Sequence, residues 1–191
     1  MLKLKLESVA SRVGDKAEVA EEISQCIRLM EDSIREVRTV SYLLYPPMLE
    51  ELGLKSAIPW YLDGFSARSG VKTSFEVRTK VCRLARESEL ALFRVLQEAL
   101  TNVHRHSESR TAHVRLSAKG GMVILEIEDK GKGIAPELLT EFGQEWMGGL
   151  GIGVRGMNER MRQLGGRLHL ASNTDGTSVT ATVPEKLSPA H

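Results

Sequence analysis

The residues from Leu92 to Ser107, LFRVLQEALTNVHRHS, constrain the fold of this chain more than any other stretch. Most of them favour helix. Leu92, Leu96, Ala99 and Val103 recur at spacings of four, three and four, which is the period of a helix with one buried face. The stretch therefore predicts a helix that packs against a core through this apolar face.

A polar strip follows the same helix beside the apolar face. Glu98, Asn102, Arg105 and His106 are separated by four, three and one residues, so all four lie on neighbouring positions of one helix side. Because the strip borders the buried face, we expect it to look into a cleft. There, a carboxylate, an amide oxygen and two nitrogen donors would suit a metal and an anion. A solvated helix face is the alternative, and the strip alone does not distinguish the two.

Strand patterns flank this helix. KTSFEV follows Val71, and two further strands are predicted at Ala112–Ala118 and Met122–Glu128, joined by a hairpin turn at Lys119-Gly120-Gly121. In the last of these strands apolar and polar residues alternate, which places Asp129 in phase with the buried side chains. The pattern thus predicts a carboxylate that points inward at a strand end.

The last third of the chain continues the mixture of helices and strands. A short helix and a glycine-rich loop are predicted after Pro136, then a helix from about Val154 to Leu164, then strands at Arg167–Ser172 and Ser178–Val183. This order predicts an α+β fold, a two-layer sandwich with helices on one face of a mostly antiparallel sheet.

Glycines mark two segments that a ligand's charged or polar groups could approach. In DKGKG, Gly131 and Gly133 would let the backbone come close to a bound molecule, although an ordinary Asp-Gly turn has the same sequence. Several glycines lie before and at the start of the helix that begins near Val154, where backbone amides and the helix N-terminus favour an anion; a mobile surface loop is the alternative. These glycines are Gly148, Gly149, Gly151, Gly153 and Gly156.

The N-terminal segment predicts a helical hairpin. A short helix is predicted in residues 2–13, and apolar residues at alternating spacings of three and four predict a long helix from about Ala17 to Leu44. Pro46 and Pro47 end it. Because one narrow apolar stripe cannot bury itself, we expect the hairpin to pair with a second copy of the chain. Packing onto the following domain is the alternative.

Charge, hydropathy and cysteine content limit the partners and the compartment. The formal net charge is +1, whereas a protein that neutralises a nucleic-acid backbone normally carries a clear basic excess. No apolar run approaches the roughly 20 residues that span a bilayer. Cys26 and Cys82 are isolated, which is typical of a reducing compartment. We therefore expect a cytoplasmic chain with no direct nucleic-acid or membrane partner, even if its full-length parent is membrane-anchored.

Together these motifs resemble a known family. EIEDKGKGI (Glu126–Ile134), GGLGIGVRGM (Gly148–Met157) and DGTSVTATVP (Asp175–Pro184) follow the long helix in the order seen in the Bergerat-type ATP-binding fold of sensor histidine kinases, gyrase-type ATPases, chaperones and mismatch-repair proteins. QEALTNVHRHS and GVRGMNERMRQLGG most resemble the sensor histidine kinases whose response regulators carry a helix-turn-helix output domain. The resemblance covers nearly the whole chain and implies the histidine-kinase type of ATPase sandwich preceded by a helical hairpin.

The resemblance implies a role for each candidate residue, with ATP and Mg²⁺ as the cofactors. Asp129 would bind adenine, Thr177 would bind adenine or a water beside it, and Asn102 would be the magnesium ligand. Glu98 would act in catalysis by orienting a water or by contacting the outer shell of the metal. The residues implied to surround the sugar and phosphates are Arg105, His106, Gly131, Gly133, Gly149, Gly151 and Gly153.

The resemblance also implies an organisation and an activity. Residues 1–50 would be the C-terminal part of a dimerisation hairpin, 51–70 a connecting segment, 71–185 the ATP-binding domain and 186–191 a disordered tail. The γ-phosphoryl group of ATP would pass to a histidine and then to a response regulator, within a homodimer. No histidine lies between Met1 and Lys80, so we expect the acceptor upstream of Met1 and no self-labelling of this chain.

Two other functions fit the ATP-binding motifs. One is an ATP-driven conformational clamp of the gyrase or chaperone kind, which usually has a longer lid and a further domain that supplies a lysine. The other is a non-catalytic interaction module or a serine kinase of the anti-sigma type, which would lack a heptad hairpin. The predicted hairpin therefore favours the sensor kinase.

Overall fold

The structure of the protein is a computed structural model that describes residues 25–27, 47–135 and 152–185. The chain divides into two compact units, Met1–Pro47 and Met48–His191. In the first unit, residues 25–27 are helical. The rest of the predicted hairpin, the predicted short helix and glycine-rich loop that follow Pro136, and the predicted disordered tail lie outside the described residues.

Four helices and five strands make up the described part of the chain from residue 47 onward. The predicted helix around Leu92 and all five predicted strands are present, with ends that differ from the predictions by a few residues. The elements are α1 (Pro47–Leu52), α2 (Leu54–Ser69), β1 (Lys72–Val77), α3 (Arg86–Asn102) continuing as a π-helical turn (Val103–Ser107), β2 (Thr111–Lys119), β3 (Met122–Asp129), α4 (Ile152–Gln163), β4 (Arg167–Asn173) and β5 (Gly176–Pro184). In this part of the chain, no helix combines the length and the apolar character needed to cross a membrane.

The five strands form one sheet in the order β1-β2-β3-β5-β4. β1 and β2 are parallel because α3 carries the chain back across the sheet between them, and the other three pairs are antiparallel. Gly120 and Gly121 have φ angles of 60° and 71°, the left-handed values that a tight two-residue hairpin requires. The predicted α+β sandwich with a mostly antiparallel sheet is therefore confirmed.

One face of the sheet forms the core. Along β3, Val123, Leu125 and Ile127 are at most 1% exposed, as their alternation predicts. The apolar face of α3 packs in the same cluster, together with apolar side chains of α2 and α4. On the other face, Arg115 and Glu128 form an ion pair at 2.5 Å that is partly exposed to solvent. Helices therefore cover one sheet face, and the end of β3 lies where they meet the sheet.

The helix α2 belongs to this packed core. Tyr61 contacts Phe93 of α3 edge-on, with ring centroids 5.4 Å apart. Five further apolar residues of α2 are buried, namely Leu54, Ala57, Ile58, Leu62 and Phe65. Burial of these side chains therefore anchors α2, the helix before β1, in the core beside the sheet.

A buried carboxylate ties α1 to the start of α3. Glu89 is 2% exposed and accepts a hydrogen bond from the Leu84 amide at 3.3 Å. It also forms an ion pair with Arg83 Nε at 3.3 Å. Arg83 also donates to the carbonyl oxygens of Leu49, at 2.9 Å, and of Glu50. Burial raises the pKa of Glu89, and the charge of Arg83 opposes this rise. Arg83 therefore both stabilises the buried charge and caps the end of α1.

We expect Arg83→Ala to lower the free energy of unfolding by about 1–3 kcal/mol at pH 7, because it leaves the Glu89 carboxylate buried without its ion pair. A carboxylate whose pKa is raised by folding destabilises the folded state at pH values above that pKa, where it is ionised. At lower pH it is protonated, and this destabilisation disappears. The loss should therefore shrink as the pH falls through the pKa of Glu89. Urea unfolding at several pH values measures both quantities.

Arg78→Ala is the matched control for this experiment. Arg78 pairs with Glu76 at 3.2 Å, but both side chains are at least half exposed. Its loss is expected to change stability by less than about 0.5 kcal/mol. Equal losses in the two variants, or a loss in Arg83→Ala that does not depend on pH, would contradict the role assigned to Arg83.

Candidate functional site

A cleft of about 430 Å³ lies beside α3 and the end of β3. This volume is within the range of small-molecule sites in proteins. Its walls come from α3 and the π-helical turn, β3 and the loop after it, α4, β4 and β5. The predicted site residues that line it are Glu98, Asn102, His106, Asp129, Gly133, Gly153 and Thr177.

Three members of the predicted polar strip face this cleft. Glu98, Asn102 and His106 line it, whereas Arg105 is exposed and is not among the described lining residues. The strip was read at α-helical spacing, but the helix changes to π geometry over Val103–Ser107, which changes the angle between successive side chains. Because no other observation locates its side chain relative to the cleft, the role expected for Arg105 stays a prediction.

Asp129 points into the cleft from the end of β3. It is 6% exposed and pairs with Thr177 across the β3–β5 ladder. The Gly131 amide donates to its Oδ1 at 2.8 Å. Burial raises the pKa of Asp129, and the Gly131 amide, together with the neighbouring polar groups of Ser107 and Thr177, opposes the rise. The predicted inward carboxylate is present, and the Gly131 amide holds it at the start of the loop after β3.

The glycines after Asp129 are required by close contacts within the protein. A methyl group on Gly131 would overlap the carbonyl oxygen of Ser107, and one on Gly133 would overlap the carbonyl oxygen of Asn173. Gly133 also has a φ angle of 73°, which favours glycine. We expected both glycines to lie against a ligand. Gly133 lines the cleft, while Gly131 is not among its described lining residues.

Gly153 lies near the start of α4 and touches α3. A methyl group there would overlap the carboxylate of Glu98, so the missing side chain lets Glu98 lie against the α4 backbone. Gly149 and Gly151, the other two glycines predicted to contact phosphates, lie outside the described residues. The structure thus brings one of these three glycines to the cleft.

Thr177 joins a hydroxyl network that sequence reasoning missed. Its hydroxyl lies 2.9 Å from the Ser172 hydroxyl, which also donates to the Gly176 carbonyl at 2.9 Å and accepts from the Ile134 amide at 2.8 Å. Ser172 thereby fixes the loop after β3 to the β4–β5 hairpin. A single serine in a strand has no distinctive spacing, so the sequence offers no signal for this contact.

The chemistry of the cleft divides into two parts. Apolar side chains, among them Ile127, Met157 and Val179, line the cleft together with Asp129, which suits a flat apolar group carrying a hydrogen-bond donor. Glu98 and Asn102 add a carboxylate and an amide oxygen from one helix side. In the described part of the chain no three or more His, Cys, Asp and Glu side chains cluster as a metal cage. Mg²⁺ does not need one, since it keeps several waters and takes oxygens from a bound phosphate.

Comparison with known protein families gives one match over more than half of the chain. Residues 87–187 match the family described as histidine kinase-, DNA gyrase B-, and HSP90-like ATPase. This range contains every residue named above as lining the cleft.

Two characterised relatives resemble nearly the full length of this chain. The sensor histidine kinase MctS of Rhizobium johnstonii is 31% identical over 163 residues, which are 85% of this chain and 34% of MctS. The signal transduction histidine-protein kinase/phosphatase DegS of Brevibacillus brevis is 30% identical over 184 residues, 95% of this chain and 46% of DegS. The chain therefore spans less than half the length of either relative.

Solved structures share the fold. The histidine kinase domain of the blue-light activated histidine kinase EL346 from Erythrobacter litoralis superposes with a TM-score of 0.59 at 19% identity, covering 96% of this chain and 92% of that domain. The histidine kinase AdeS from Acinetobacter baumannii gives a TM-score of 0.54 at 15% identity, covering 96% and 93%. At these identities the likeness concerns the fold alone.

Proposed function

Because this chain belongs to the histidine kinase-, DNA gyrase B-, and HSP90-like ATPase family, we propose that it is the ATP-binding catalytic region of a two-component sensor histidine kinase. The observation that carries the proposal is the convergence of Asp129 with Glu98 and Asn102 on one cleft. The two relatives named above are both histidine kinases, which favours this function over an ATPase clamp or a serine kinase.

In the proposed complex Asp129 accepts a hydrogen bond from the exocyclic amine of adenine. The apolar walls of the cleft cover the base, and Thr177 supports the carboxylate from β5. A buried acceptor of this kind discriminates between bases, because a base without a donor at that point leaves the carboxylate unpaired. Because the Asp129 carboxylate is buried away from water, its hydrogen bond to the adenine amine would also be stronger than the same bond in water.

The polar side of α3 would hold the metal and the phosphates. Asn102 would supply one oxygen to Mg²⁺, which provides charge neutralisation when bound, and Glu98 would orient a water in the outer shell of the metal. His106 faces the cleft and would contact a phosphate oxygen. Arg105, Gly149 and Gly151 stay candidates for phosphate groups that extend beyond the described cleft walls. Phosphoryl transfer depends mainly on such positioning and charge neutralisation.

The larger assembly is proposed from the sequence and the relatives. Residues 1–50 would form part of a dimerisation hairpin, 51–70 would connect it to the ATP-binding domain at 71–185, and the phosphoryl group would pass to a response regulator with a helix-turn-helix output domain. The acceptor histidine would lie outside this sequence, as residues 1–80 contain none. Because ATP is the proposed substrate, we place this region in the cytoplasm.

Incubation of the chain with labelled ATP and Mg²⁺ tests this function. Calorimetry is expected to show one ATP site per chain, and acid-labile label is expected to be absent from the protein after incubation. Failure to bind ATP would overturn the proposed function. Binding accompanied by acid-labile phosphate on the chain would contradict only the proposed position of the acceptor histidine.

A further inference from the structure

We propose that Ser172 helps to determine which nucleobase the cleft accepts, because its hydroxyl takes a hydrogen bond from the Thr177 hydroxyl. Thr177 and Asp129 then both present hydrogen-bond acceptors to the base. The inference rests on the proposed function and adds the source of base selectivity at the same site. Ser172 acts through Thr177 and is therefore a positioning residue.

Three polar side chains lie in one row across the end of the sheet. Asp129 on β3 is paired with Thr177 on β5, and Thr177 is paired with Ser172 on β4. Side chains of directly paired residues lie on the same face of a sheet, so all three share one face. Asp129 and Thr177 line the cleft, and Ser172 lies one strand farther out, on the strand at the edge of the sheet. Ser172 is therefore placed to act on a nucleotide through Thr177.

The hydrogen bonds of Ser172 fix the direction of its contact with Thr177. The Ser172 hydroxyl donates its proton to the Gly176 carbonyl at 2.9 Å and accepts from the Ile134 amide at 2.8 Å. The Thr177 hydroxyl lies 2.9 Å from the same oxygen. Because a serine hydroxyl has one proton and two lone pairs, the Thr177 hydroxyl has to be the donor in this pair. All the hydrogen-bonding capacity of the Ser172 hydroxyl is then used.

This direction decides what Thr177 offers to a ligand. With its proton given to Ser172, the Thr177 oxygen can only accept hydrogen bonds, and the ionised carboxylate of Asp129 also only accepts. The exocyclic amine of adenine is a donor, whereas guanine and hypoxanthine carry a carbonyl oxygen, an acceptor, at the same ring position. That oxygen gains no hydrogen bond from either side chain. The pair therefore favours adenine.

Loss of the Ser172 hydroxyl releases the proton of Thr177. The Thr177 hydroxyl is then free to rotate and to donate to a carbonyl oxygen in the cleft. Ser172→Ala is therefore expected to lower the ratio of ATP affinity to inosine triphosphate (ITP) affinity about two- to tenfold, the effect of one hydrogen bond. Competition of each nucleotide against a fluorescent ATP analogue at constant Mg²⁺ measures both affinities.

Ser109→Ala is the matched control, because Ser109 has a similar backbone role at the other end of the loop after β3. Its hydroxyl accepts from the Lys130 amide at 3.1 Å and donates to the Thr111 carbonyl at 2.8 Å, and its described contacts do not include Thr177. Its loss loosens the loop without releasing a proton at the cleft. The affinities for ATP and ITP should then change by the same factor, so that their ratio stays within about twofold of wild type.

A double-mutant cycle tests whether Ser172 acts through Thr177. Thr177→Val keeps the size and branching of the side chain and removes its hydroxyl. In that background Ser172→Ala has no proton to release, so adding it should change the nucleotide ratio by less than about twofold. A ratio that falls further in the double variant would show that Ser172 acts by another route and would contradict the inference.

An unchanged ratio in Ser172→Ala, an equal fall in Ser109→Ala, or equal affinities of wild type for ATP and ITP would overturn the role of Ser172 and leave the proposed function intact. Absence of ATP binding by the wild-type chain would overturn both. If Ser172→Ala reduces the folded fraction, Ser172→Cys keeps the shape with a weaker acceptor and should give an intermediate ratio. The wild-type ratio in that variant would equally contradict the inference.

Discussion

The Asp129→Asn protein is expected to bind ATP about 10- to 100-fold more weakly than wild type while it keeps its fold. Asn preserves the shape of the side chain and one oxygen acceptor, so the Gly131 amide retains its partner. What is lost is the negative charge and the second oxygen that adenine would use. Hydrogen bonds to charged groups contribute about 1.5–3 kcal/mol, which corresponds to this loss of affinity.

The same variant should be at least as stable as wild type at pH 7 without nucleotide. Burial raises the pKa of Asp129, so its ionised form destabilises the folded state at pH values above that pKa and does not do so when it is protonated at low pH. Removal of the charge therefore raises the melting temperature or leaves it unchanged at neutral pH, and any gain should vanish on acidification. Binding sites often keep groups that destabilise the folded state, because ligand binding requires those groups.

Glu126→Gln is the matched control for Asp129→Asn. Glu126 lies on the same strand but on the opposite sheet face, three residues before Asp129. Its replacement removes one negative charge and leaves the cleft untouched, so ATP affinity should stay within about twofold of wild type. Unchanged calorimetric affinity in Asp129→Asn would remove Asp129 from the adenine site.

Asn102→Ala is expected to abolish the Mg²⁺ dependence of ATP binding. Asn102 is the only amide side chain among the described residues that line the cleft, and Mg²⁺ needs few protein oxygens when phosphate and water supply the others. Wild type should bind ATP more tightly with Mg²⁺ than with excess chelator, whereas the variant should give the same affinity in both conditions to within about twofold.

Thr101→Ala is the control for this comparison, because the Thr101 hydroxyl donates to the Gln97 carbonyl at 2.8 Å within α3. Its Mg²⁺ dependence should match that of wild type. If Asn102→Ala retains the full effect of Mg²⁺, the metal is held by another group, and Glu98 becomes the first candidate.

The parts of the fold that follow from local periodicity could be predicted from the sequence. The spacing of Leu92, Leu96, Ala99 and Val103 predicts the buried side of α3, and all four residues are at most 5% exposed. Alternation along β3 likewise predicts that Asp129 faces inward. In both cases the geometry of one element decides which side chains are buried.

The contacts between distant segments could not be predicted in this way. The helix changes to π geometry over Val103–Ser107, and no simple residue pattern distinguishes such a turn from the α-helix before it. Gly133 is required by the carbonyl of Asn173, and Gly131 by the carbonyl of Ser107, and both relations exist only after folding. The predicted N-terminal hairpin lies outside the described residues and stays a prediction.

A crystal structure of the chain with Mg²⁺ and a non-hydrolysable ATP analogue is the most direct test of whether one nucleotide joins the two parts of the cleft. We predict that an Asp129 carboxylate oxygen lies within hydrogen-bonding distance of the adenine amine and that the side-chain oxygen of Asn102 contacts the metal bound to the phosphates. A nucleotide bound elsewhere, or bound here with its base away from Asp129, would contradict the proposed site.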